Sequence, residues 1–154
     1  MRFTNIYGVG AYPKWRVVVT NFIKRALTNK PLIIHGSGEQ RRDFIHIDDV
    51  VEIYKLVINP KAKGEIFNAG SGYTTSIKEL AEIVADIARE SGIEVKLEFK
   101  DARESKEREF GYDISKIKSL GFEPKYDIET GIRKTIEDVN EILKQGCKEY
   151  QKDV

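Results

Sequence analysis

The chain has 154 residues, with 26 basic and 25 acidic side chains and a formal net charge of +1. This length is enough to close a hydrophobic core, and 40% hydrophobic with 33% charged residues excludes a disordered polypeptide. The balanced charge argues against nucleic acid as a partner, because nucleic-acid-binding domains present a strongly basic surface. The dense, mixed charges hint at a thermophilic source.

The cysteine and histidine counts and the hydropathy of the chain limit the cellular compartments and the kinds of metal site that can be expected. Cys147 is the single cysteine, so no internal disulfide is expected and a reducing compartment is indicated. The two histidines, His35 and His46, are too few for a usual zinc cluster, and no metal site is expected. No apolar run approaches the ~18 residues of a membrane span, and no signal peptide opens the chain. We therefore expect a cytoplasmic protein without a membrane partner.

Hydrophobic spacing predicts alternating strands and helices in the first half of the chain. Asp49 followed by Glu52 resembles a capping box, so a helix is expected to start at Asp49. The predicted elements are a strand over residues 2–7, a helix over 17–27, strands over 32–35 and 44–47, and a helix from 49 to about 60.

The second half continues the same alternation. Ser76 and Glu79 form a better capping box, and alternating apolar residues over 95–99 indicate a half-buried strand. The alternation indicates an α/β fold, with one α/β domain over residues 1–146 and a tail over 147–154. The predicted elements are a strand over 65–69, a helix from 76 to 92, a strand over 95–99, a charged loop over 101–109, and helices over 113–120 and 127–144.

The glycine turn at residues 36–38 is followed by two arginines, Arg41 and Arg42. Such a turn exposes backbone N–H groups, and guanidinium groups suit phosphate oxygens. Taken alone, the spacing favours a surface turn with both arginines paired to Glu39 and Asp43. Adjacent side chains on a strand point to opposite faces, so at most one of the two arginines can face a pocket and the other is expected in solvent.

Two further patterns resemble dinucleotide enzymes but are better explained structurally. The glycine turn at residues 70–72 lacks the third glycine of a dinucleotide fingerprint, because Thr75 stands there. Tyr112 and Lys116 spell Y-x-x-x-K, but Tyr112 is expected to precede the helix, with Asp113 as its N-cap. We interpret the first as a strand-to-helix turn and the second as an accidental match.

The remaining polar residues in this region also have structural interpretations. His46 beside Asp48 could serve as a base, but a hydrogen-bonded structural histidine is the favoured reading. Asp43, Asp48 and Asp49 could suggest a metal site, but capping and ion pairing explain them adequately.

Six ordered motifs, spread over about residues 2–140, resemble the C-terminal half of the NAD-dependent nucleotide-sugar epimerase/dehydratase family. These are extended short-chain dehydrogenase/reductases, and the nearest group is the UDP-glucose 4-epimerases. The resemblance implies the substrate-binding portion of that fold, with the last strand–helix elements that complete its Rossmann sheet. The motifs are R-x-x-N-x-Y-G at 2–8, G-x-G-x-Q-x-R-D-F at 36–44, I-D-D-V at 47–50, F-N-A-G-S-G at 67–72, the ten-residue spacing from Arg103 to Asp113, and L-G-F-x-P at 120–124.

The resemblance implies a site for a UDP- or dTDP-sugar. Arg42 and Arg103 match the two arginines that grip the diphosphate, and Asn5 matches an asparagine near the phosphates. Forked guanidinium donors supply both affinity and orientation to a diphosphate.

A second set of positions matches family residues that surround the pyrimidine base of the nucleotide. Ile33 and His35 match residues that pack around the pyrimidine, where an aromatic residue is usual at the position of His35. Arg16 and Val17 match a loop-to-helix position that touches phosphate or base.

The sequence departs from the family at three positions and in overall extent. Val9 replaces the proline that usually follows Y-G. Lys106 stands where the family has an aspartate that bonds the ribose, and Ser105 stands where it has glycine. Full-length members are about twice as long, and their first half supplies the NAD turn and the catalytic Y-x-x-x-K. No catalytic residue is therefore expected here, nor NAD binding by this chain alone. We expect a separate NAD-binding chain or a homodimer; the alternative is a non-catalytic nucleotide-sugar-binding or interaction module.

Overall fold

A computed structural model describes residues 1–10, 15–58, 60–101 and 110–146 of the chain. Strands alternate with helices, as the hydrophobic spacing predicts. Arg103, Ser105, Lys106 and the tail with Cys147 lie outside the described residues. The elements are β1 (Arg2–Phe3), β2 (Asn5–Tyr7), α1 (Val18–Leu27), β3 (Leu32–His35), β4 (Arg41–His46), α2 (Ile47–Val57), a 3₁₀ turn (Pro60–Ala62), β5 (Asn68–Ala69), β6 (Thr74–Ser76), α3 (Ile77–Glu90), β7 (Leu97–Lys100), α4 (Ser115–Lys118) and α5 (Ile128–Lys144).

The described strands form three small sheets. β1 pairs in parallel with β5, and β3 pairs in parallel with β7. In the third sheet β4 lies between β2, to which it is parallel, and β6, to which it is antiparallel. The chain therefore passes from one sheet to another between β1 and β2, which are separated by a single residue.

Two hydrophobic clusters hold these elements together. The first is built from one face each of α1, α3 and α5 against β3 and β4. The second lies beneath α2 and α4 and includes Ile45, Phe67 and Phe122. In the described part of the chain, no helix combines the length and the apolar character that a bilayer crossing requires.

The helix α3 shows how local sequence signals fix an element. The Glu79 N–H donates to Ser76 Oγ at 3.0 Å, and the Ser76 N–H donates to Glu79 Oε2 at 2.9 Å, so the predicted capping box is confirmed. The helix ends at Glu90, two residues before Gly92, whose φ of +78° suits glycine.

The start of α2 differs from the prediction. The helix begins at Ile47, and its N-cap is His46, whose Nδ1 accepts the Asp48 N–H at 3.3 Å. The predicted capping box of Asp49 and Glu52 is therefore wrong, because Asp49 already lies within the first helical turn.

Asp49 is buried, and its carboxylate accepts hydrogen bonds from backbone N–H groups outside α2. Its Oδ1 accepts the Lys125 N–H at 2.9 Å and its Oδ2 accepts the Tyr126 N–H at 3.2 Å. The carboxylate thus fastens α2 to the segment that leads into α5.

Strand boundaries were the least predictable features. β4 begins at Arg41, three residues before the predicted start, and β6 was not predicted, because Ser76 was expected to open the next helix. The predicted half-buried alternation along β7 fails at Phe99, whose side chain is exposed. β7 pairs with β3 alone among the described strands, so it lies at a sheet edge where burial is incomplete.

Candidate functional site

A groove of about 370 Å³ opens where α1 meets β3 and β7. Three of the predicted substrate-binding residues, Arg16, Ile33 and His35, lie in its wall. Val17, also predicted, is the N-cap of α1 beside this wall, and is not one of the lining residues. The lining residues are Arg16, Val18, Asn21, Phe22, Arg25, Ile33, His35 and Lys100.

The β3–β7 register places the strand side of the groove. His35 lies directly opposite Lys100, and Ile33 is two residues earlier on β3. Residues two apart share a face of a strand, so Ile33 and His35 line the groove together. Leu32 and Ile34, on the opposite face, are buried in the first hydrophobic cluster.

The helix side of the groove follows from helical spacing. Val18, Asn21 and Arg25 are three and four residues apart, so they lie along one face of α1. The Asn21 side chain is held in place because its Nδ2 donates to the Trp15 carbonyl oxygen at 3.1 Å.

The electrostatics of the groove favour an anionic ligand. Arg16, Arg25 and Lys100 line it, and no carboxylate of the described residues does. Ile33 and Val18 add apolar surface between these cations. The arrangement can hold a planar ring against the apolar surface while the cations attract a negatively charged group.

Sequence reasoning missed five of the eight lining residues, namely Val18, Asn21, Phe22, Arg25 and Lys100. Asn21 and Arg25 carry a detectable signal, because they are spaced four residues apart on a predicted helix that also contains Val18. Lys100 carries no local signal, since only the pairing of β3 with β7 brings it beside His35.

Two more predicted residues, Asn5 and Arg42, lie on the three-stranded sheet of β2, β4 and β6. The Asn5 Nδ2 donates to the Asp43 carbonyl oxygen at 3.0 Å, so Asn5 borders β4 next to Arg42. Arg42 is half-buried, its Nη1 donates to the Arg41 carbonyl oxygen at 2.7 Å, and its backbone pairs with Phe110. These two residues therefore form a second group, separate from the groove lining.

The seventh predicted residue, Arg103, lies outside the described residues. The described residues that flank it in sequence have known neighbours: Lys100 pairs with His35, and Phe110 pairs with Arg42. The predicted approach of Arg103 to Arg42 stays a prediction.

The arginine before Arg42 has a structural role. Arg41 Nη1 pairs with Glu79 Oε1 at 3.1 Å, and its Nη2 donates to the Thr74 carbonyl oxygen at 2.6 Å. The predicted pairing with Glu39 is therefore wrong for this arginine. Its side chain is only partly exposed and is held between β6 and α3, instead of extending into solvent as expected.

The glycine turn that follows β5 is filled by an internal carboxylate. Buried Asp43 accepts the Ser71 N–H and Oγ–H, both at 2.9 Å, the Gly72 N–H at 3.1 Å and the Thr4 hydroxyl at 3.2 Å. A Cβ on Gly70 would lie 2.6 Å from Asp43 Oδ2. The interpretation as a structural turn is confirmed, because these N–H groups are already bound within the chain.

His46 is a structural residue, as predicted. Its side chain is buried, and its Nδ1 accepts the Asp48 N–H that caps α2. Burial lowers its pKa below the ordinary value, although the carboxylates of Asp48 and Asp49 act in the opposite direction. A neutral, capping imidazole of this kind is not placed to act as a general base.

Tyr112 precedes α4, so the Y-x-x-x-K spacing does not place Tyr112 and Lys116 one turn apart in a helix. The N-cap of α4 is Ile114, one residue after the predicted Asp113, whose carboxylate still accepts the Ser115 N–H at 2.8 Å. Within the described ranges, no group of three or more histidine, cysteine, aspartate or glutamate side chains is arranged to hold a metal ion.

Both the sequence and the fold of this chain match a known protein family. Residues 1–70 match the model of the NAD dependent epimerase/dehydratase family. The dTDP-D-glucose 4,6-dehydratase of Mus musculus is 36% identical over 140 residues, which are 88% of this chain and 39% of that protein.

Solved structures of epimerases have a similar fold. The UDP-glucose 4-epimerase of Thermotoga maritima, determined with UDP-glucose, superposes with a TM-score of 0.79 at 31% identity, covering 92% of this chain and 45% of the other. An epimerase from Methanothermobacter thermautotrophicus superposes with a TM-score of 0.81 at 28% identity, covering 94% and 43%. The predicted fold class is confirmed, and the chain spans less than half the length of these relatives.

Proposed function

Because the chain belongs to the NAD-dependent epimerase/dehydratase family, we propose that it is the C-terminal, nucleotide-sugar-binding half of an NAD-dependent nucleotide-sugar epimerase of the UDP-glucose 4-epimerase type. The observation that carries this proposal is the groove that unites Arg16, Ile33 and His35 with Lys100. The ligand class we propose is a UDP- or dTDP-sugar.

The groove residues and the pair Asn5 and Arg42 bind different parts of the nucleotide. The groove takes the base, with Ile33 and His35 against the ring and Arg16, next to Val17, at the loop-to-helix junction. On the sheet of β2, β4 and β6, Arg42 binds the diphosphate with Asn5 beside it. We propose that Arg103 completes this second group, since two guanidinium groups neutralise a diphosphate and fix its orientation.

The chemistry of the full-length enzymes needs groups that the described residues do not offer. Asp43 occupies the N–H groups of the turn at Ser71 and Gly72, so this turn does not fit the pyrophosphate of a dinucleotide. Tyr112 and Lys116 do not form a helical acid–base pair. We therefore propose that this half contributes substrate binding alone and that NAD is bound elsewhere in the assembled enzyme. We also propose that the protein works in the cytoplasm.

The outward face of α2 fits contact with another polypeptide unit. Val51, Tyr54 and Ile58 lie three and four residues apart and are 46%, 51% and 81% exposed, and the Tyr54 ring contacts the Phe3 ring on β1 at 5.6 Å. Apolar stripes of this kind mark interaction surfaces. We propose that the stripe packs against the NAD-binding half, on the same or a separate chain, or against a second copy in a homodimer.

Sedimentation velocity of the chain alone tests the homodimer. A Tyr54→Lys/Ile58→Lys variant that sediments as a monomer, beside a dimeric parent, supports it. A parent chain that stays monomeric at high concentration argues against it.

The second candidate function is a non-catalytic nucleotide-sugar-binding or interaction module. It rests on the same site observations, since Asp43 occupies the N–H groups of Ser71 and Gly72 and Tyr112 precedes α4. Epimerase activity on UDP-glucose after addition of NAD and a separately produced NAD-binding half supports the first function. Retained UDP binding without any such activity supports the second.

Isothermal titration calorimetry with UDP tests the shared claim of both functions. Arg42→Ala should weaken UDP binding at least about tenfold, because a charge-assisted hydrogen bond contributes ~1.5–3 kcal/mol. Arg41→Ala is the matched control: it removes the same charge one residue away, but Arg41 is bound to Glu79 on another element. Absence of UDP binding, or an equal loss in both variants, contradicts the proposal.

A further inference from the structure

The hydrogen-bonding groups of the groove have a pattern that distinguishes one nucleobase from another. On the basis of the proposed function, we infer that Asn21 and Lys100 are specificity-determining residues, which make the groove prefer the imide edge of uracil or thymine over cytosine. Neither residue belongs to the motifs that carry the family resemblance.

Asn21 supplies an acceptor whose orientation is fixed. Its Nδ2 donates to the Trp15 carbonyl oxygen at 3.1 Å. A carbonyl oxygen can only accept, so the amide nitrogen faces Trp15, and the amide oxygen remains as the acceptor of this side chain. Because Asn21 lines the groove, its oxygen is the acceptor that the α1 side offers to a ligand.

Lys100 supplies donors on the opposite wall. It lies across from His35 in the β3–β7 register, at the carboxyl end of β7. An ammonium group can only donate. The groove therefore has an acceptor at Asn21 on the helix side and a donor at Lys100 on the strand side, with Arg16 and Arg25 as further donor-only groups.

Uracil and thymine match this pattern, and cytosine opposes it. The Watson–Crick edge of uracil carries a carbonyl acceptor at position 4 and an N–H donor at position 3. Cytosine carries an amino donor at position 4 and a lone-pair acceptor at position 3. A cytosine bound in the same orientation would set its amino group against the ammonium of Lys100 and its ring nitrogen against the Asn21 oxygen, leaving these polar groups unsatisfied.

The apolar part of the lining accommodates either base equally. Ile33, Val18 and Phe22 line the groove, and apolar side chains against the face of a ring do not discriminate between groups on its edge. Removing Asn21 or Lys100 should therefore change selectivity more than it changes the affinity for pyrimidines in general.

The test compares UDP with CDP by calorimetry on the full 154-residue chain. The two ligands carry the same diphosphate, so contacts to phosphate cancel in the ratio of their dissociation constants. We expect the parent chain to bind UDP at least about tenfold more tightly than CDP. Asn21→Leu and Lys100→Met should each bring that ratio to within about threefold of unity.

Lys96→Met is the control, since Lys96 is exposed and precedes β7 but does not line the groove. It removes the same charge and should leave the UDP-to-CDP ratio unchanged. A melting temperature for each variant separates misfolding of Asn21→Leu from lost recognition, and Lys100→Met tests the inference where no helix is altered.

The outcomes separate this inference from the function on which it rests. If UDP binds and depends on Arg42, but neither Asn21→Leu nor Lys100→Met changes the ratio, the inference fails and the proposed function stands. Equal binding of UDP and CDP by the parent chain overturns it as well. If neither ligand binds, the proposed function fails and the inference with it.

Discussion

Two polar regions of this molecule differ in what their charged groups contact. Around Asp43, the carboxylate accepts from Ser71, Gly72 and Thr4, all within the chain. In the groove, Arg16 and Lys100 stand beside apolar side chains, with no carboxylate of the described residues in the lining.

The difference separates structural from ligand-binding charge. A buried carboxylate is tolerated because several donors replace its lost hydration, so the Asp43 region stabilises the fold and has no remaining N–H group at Ser71 or Gly72 for phosphate. Cations in an opening remain hydrated until a ligand arrives, so the groove can be altered with little effect on folding. Glycine-rich sequence alone does not distinguish these cases, but the partner of each polar group does.

The largest effect is expected from Asp43→Ala. The change leaves the buried donors of Ser71 and the N–H of Gly72 without an acceptor, and we expect the free energy of unfolding to fall by about 3 kcal/mol or more. Urea denaturation measures this loss. Asp86→Ala, on the exposed face of α3, is the control and should change stability by less than about 0.5 kcal/mol. A loss below about 1 kcal/mol in Asp43→Ala would show that the carboxylate is not central to this region.

A smaller loss is expected from Gly70→Ala. The added Cβ would lie 2.6 Å from Asp43 Oδ2 and 2.7 Å from Thr4 Cγ2, and overpacking of this kind costs about 1–3 kcal/mol. Thermal or urea unfolding measures it. Thr4→Ser removes the obstructing methyl group and keeps the hydroxyl, so the double variant should recover part of the loss. No recovery in the double variant would assign the cost to Asp43 alone.

A substitution in the groove should weaken ligand binding without lowering stability, in contrast to substitutions around Asp43. Arg16→Ala should weaken UDP binding by about tenfold, because one exposed guanidinium near the phosphate or base is removed. Its urea midpoint should remain within error of the parent. Calorimetry and denaturation on the same sample check both statements. A destabilised Arg16→Ala variant with normal UDP affinity would reverse the distinction between the two regions.

The smallest effect concerns pH and the buried imidazole of His46. Burial lowers its pKa in the folded state, so the unfolded chain binds a proton more readily as the pH falls below about 6.5. The free energy of unfolding should therefore decrease from pH 7 to pH 5.5, by up to about 1 kcal/mol per pH unit. Urea denaturation at several pH values measures the slope.

Variants at the two histidines assign this slope. His46→Gln should flatten it, whereas His35→Gln, at an exposed position, should leave it unchanged. An equal slope in all three proteins would attribute the pH dependence to other groups.

Local signals in the sequence were sufficient for much of the fold. The capping box of Ser76 and Glu79 was readable because its partners are three residues apart, and Gly92 marks the end of the same helix. The wall of the groove was partly readable, through the motif positions of Arg16, Ile33 and His35.

Features that depend on distant residues were not readable. The cap of α2 by His46 was missed because the imidazole replaces the usual short polar side chain at this position. β6 was missed because its three residues form a strand only by pairing with β4. Lys100 entered the groove only through the pairing of β7 with β3, which involves residues far apart in the chain.

The clasp of Asp49 on the backbone of Lys125 and Tyr126 has a consequence for the order of folding. Lys125 and Tyr126 lie 76 and 77 positions after Asp49 in the sequence. During synthesis, α2 therefore emerges long before the N–H groups that satisfy the buried Asp49 carboxylate. Until then Asp49 retains its hydration, and α2 can dock only loosely. The last third of the chain should therefore convert a fluctuating nascent intermediate into the native protein, and chain termination before Lys125 should yield a product that is susceptible to proteolysis.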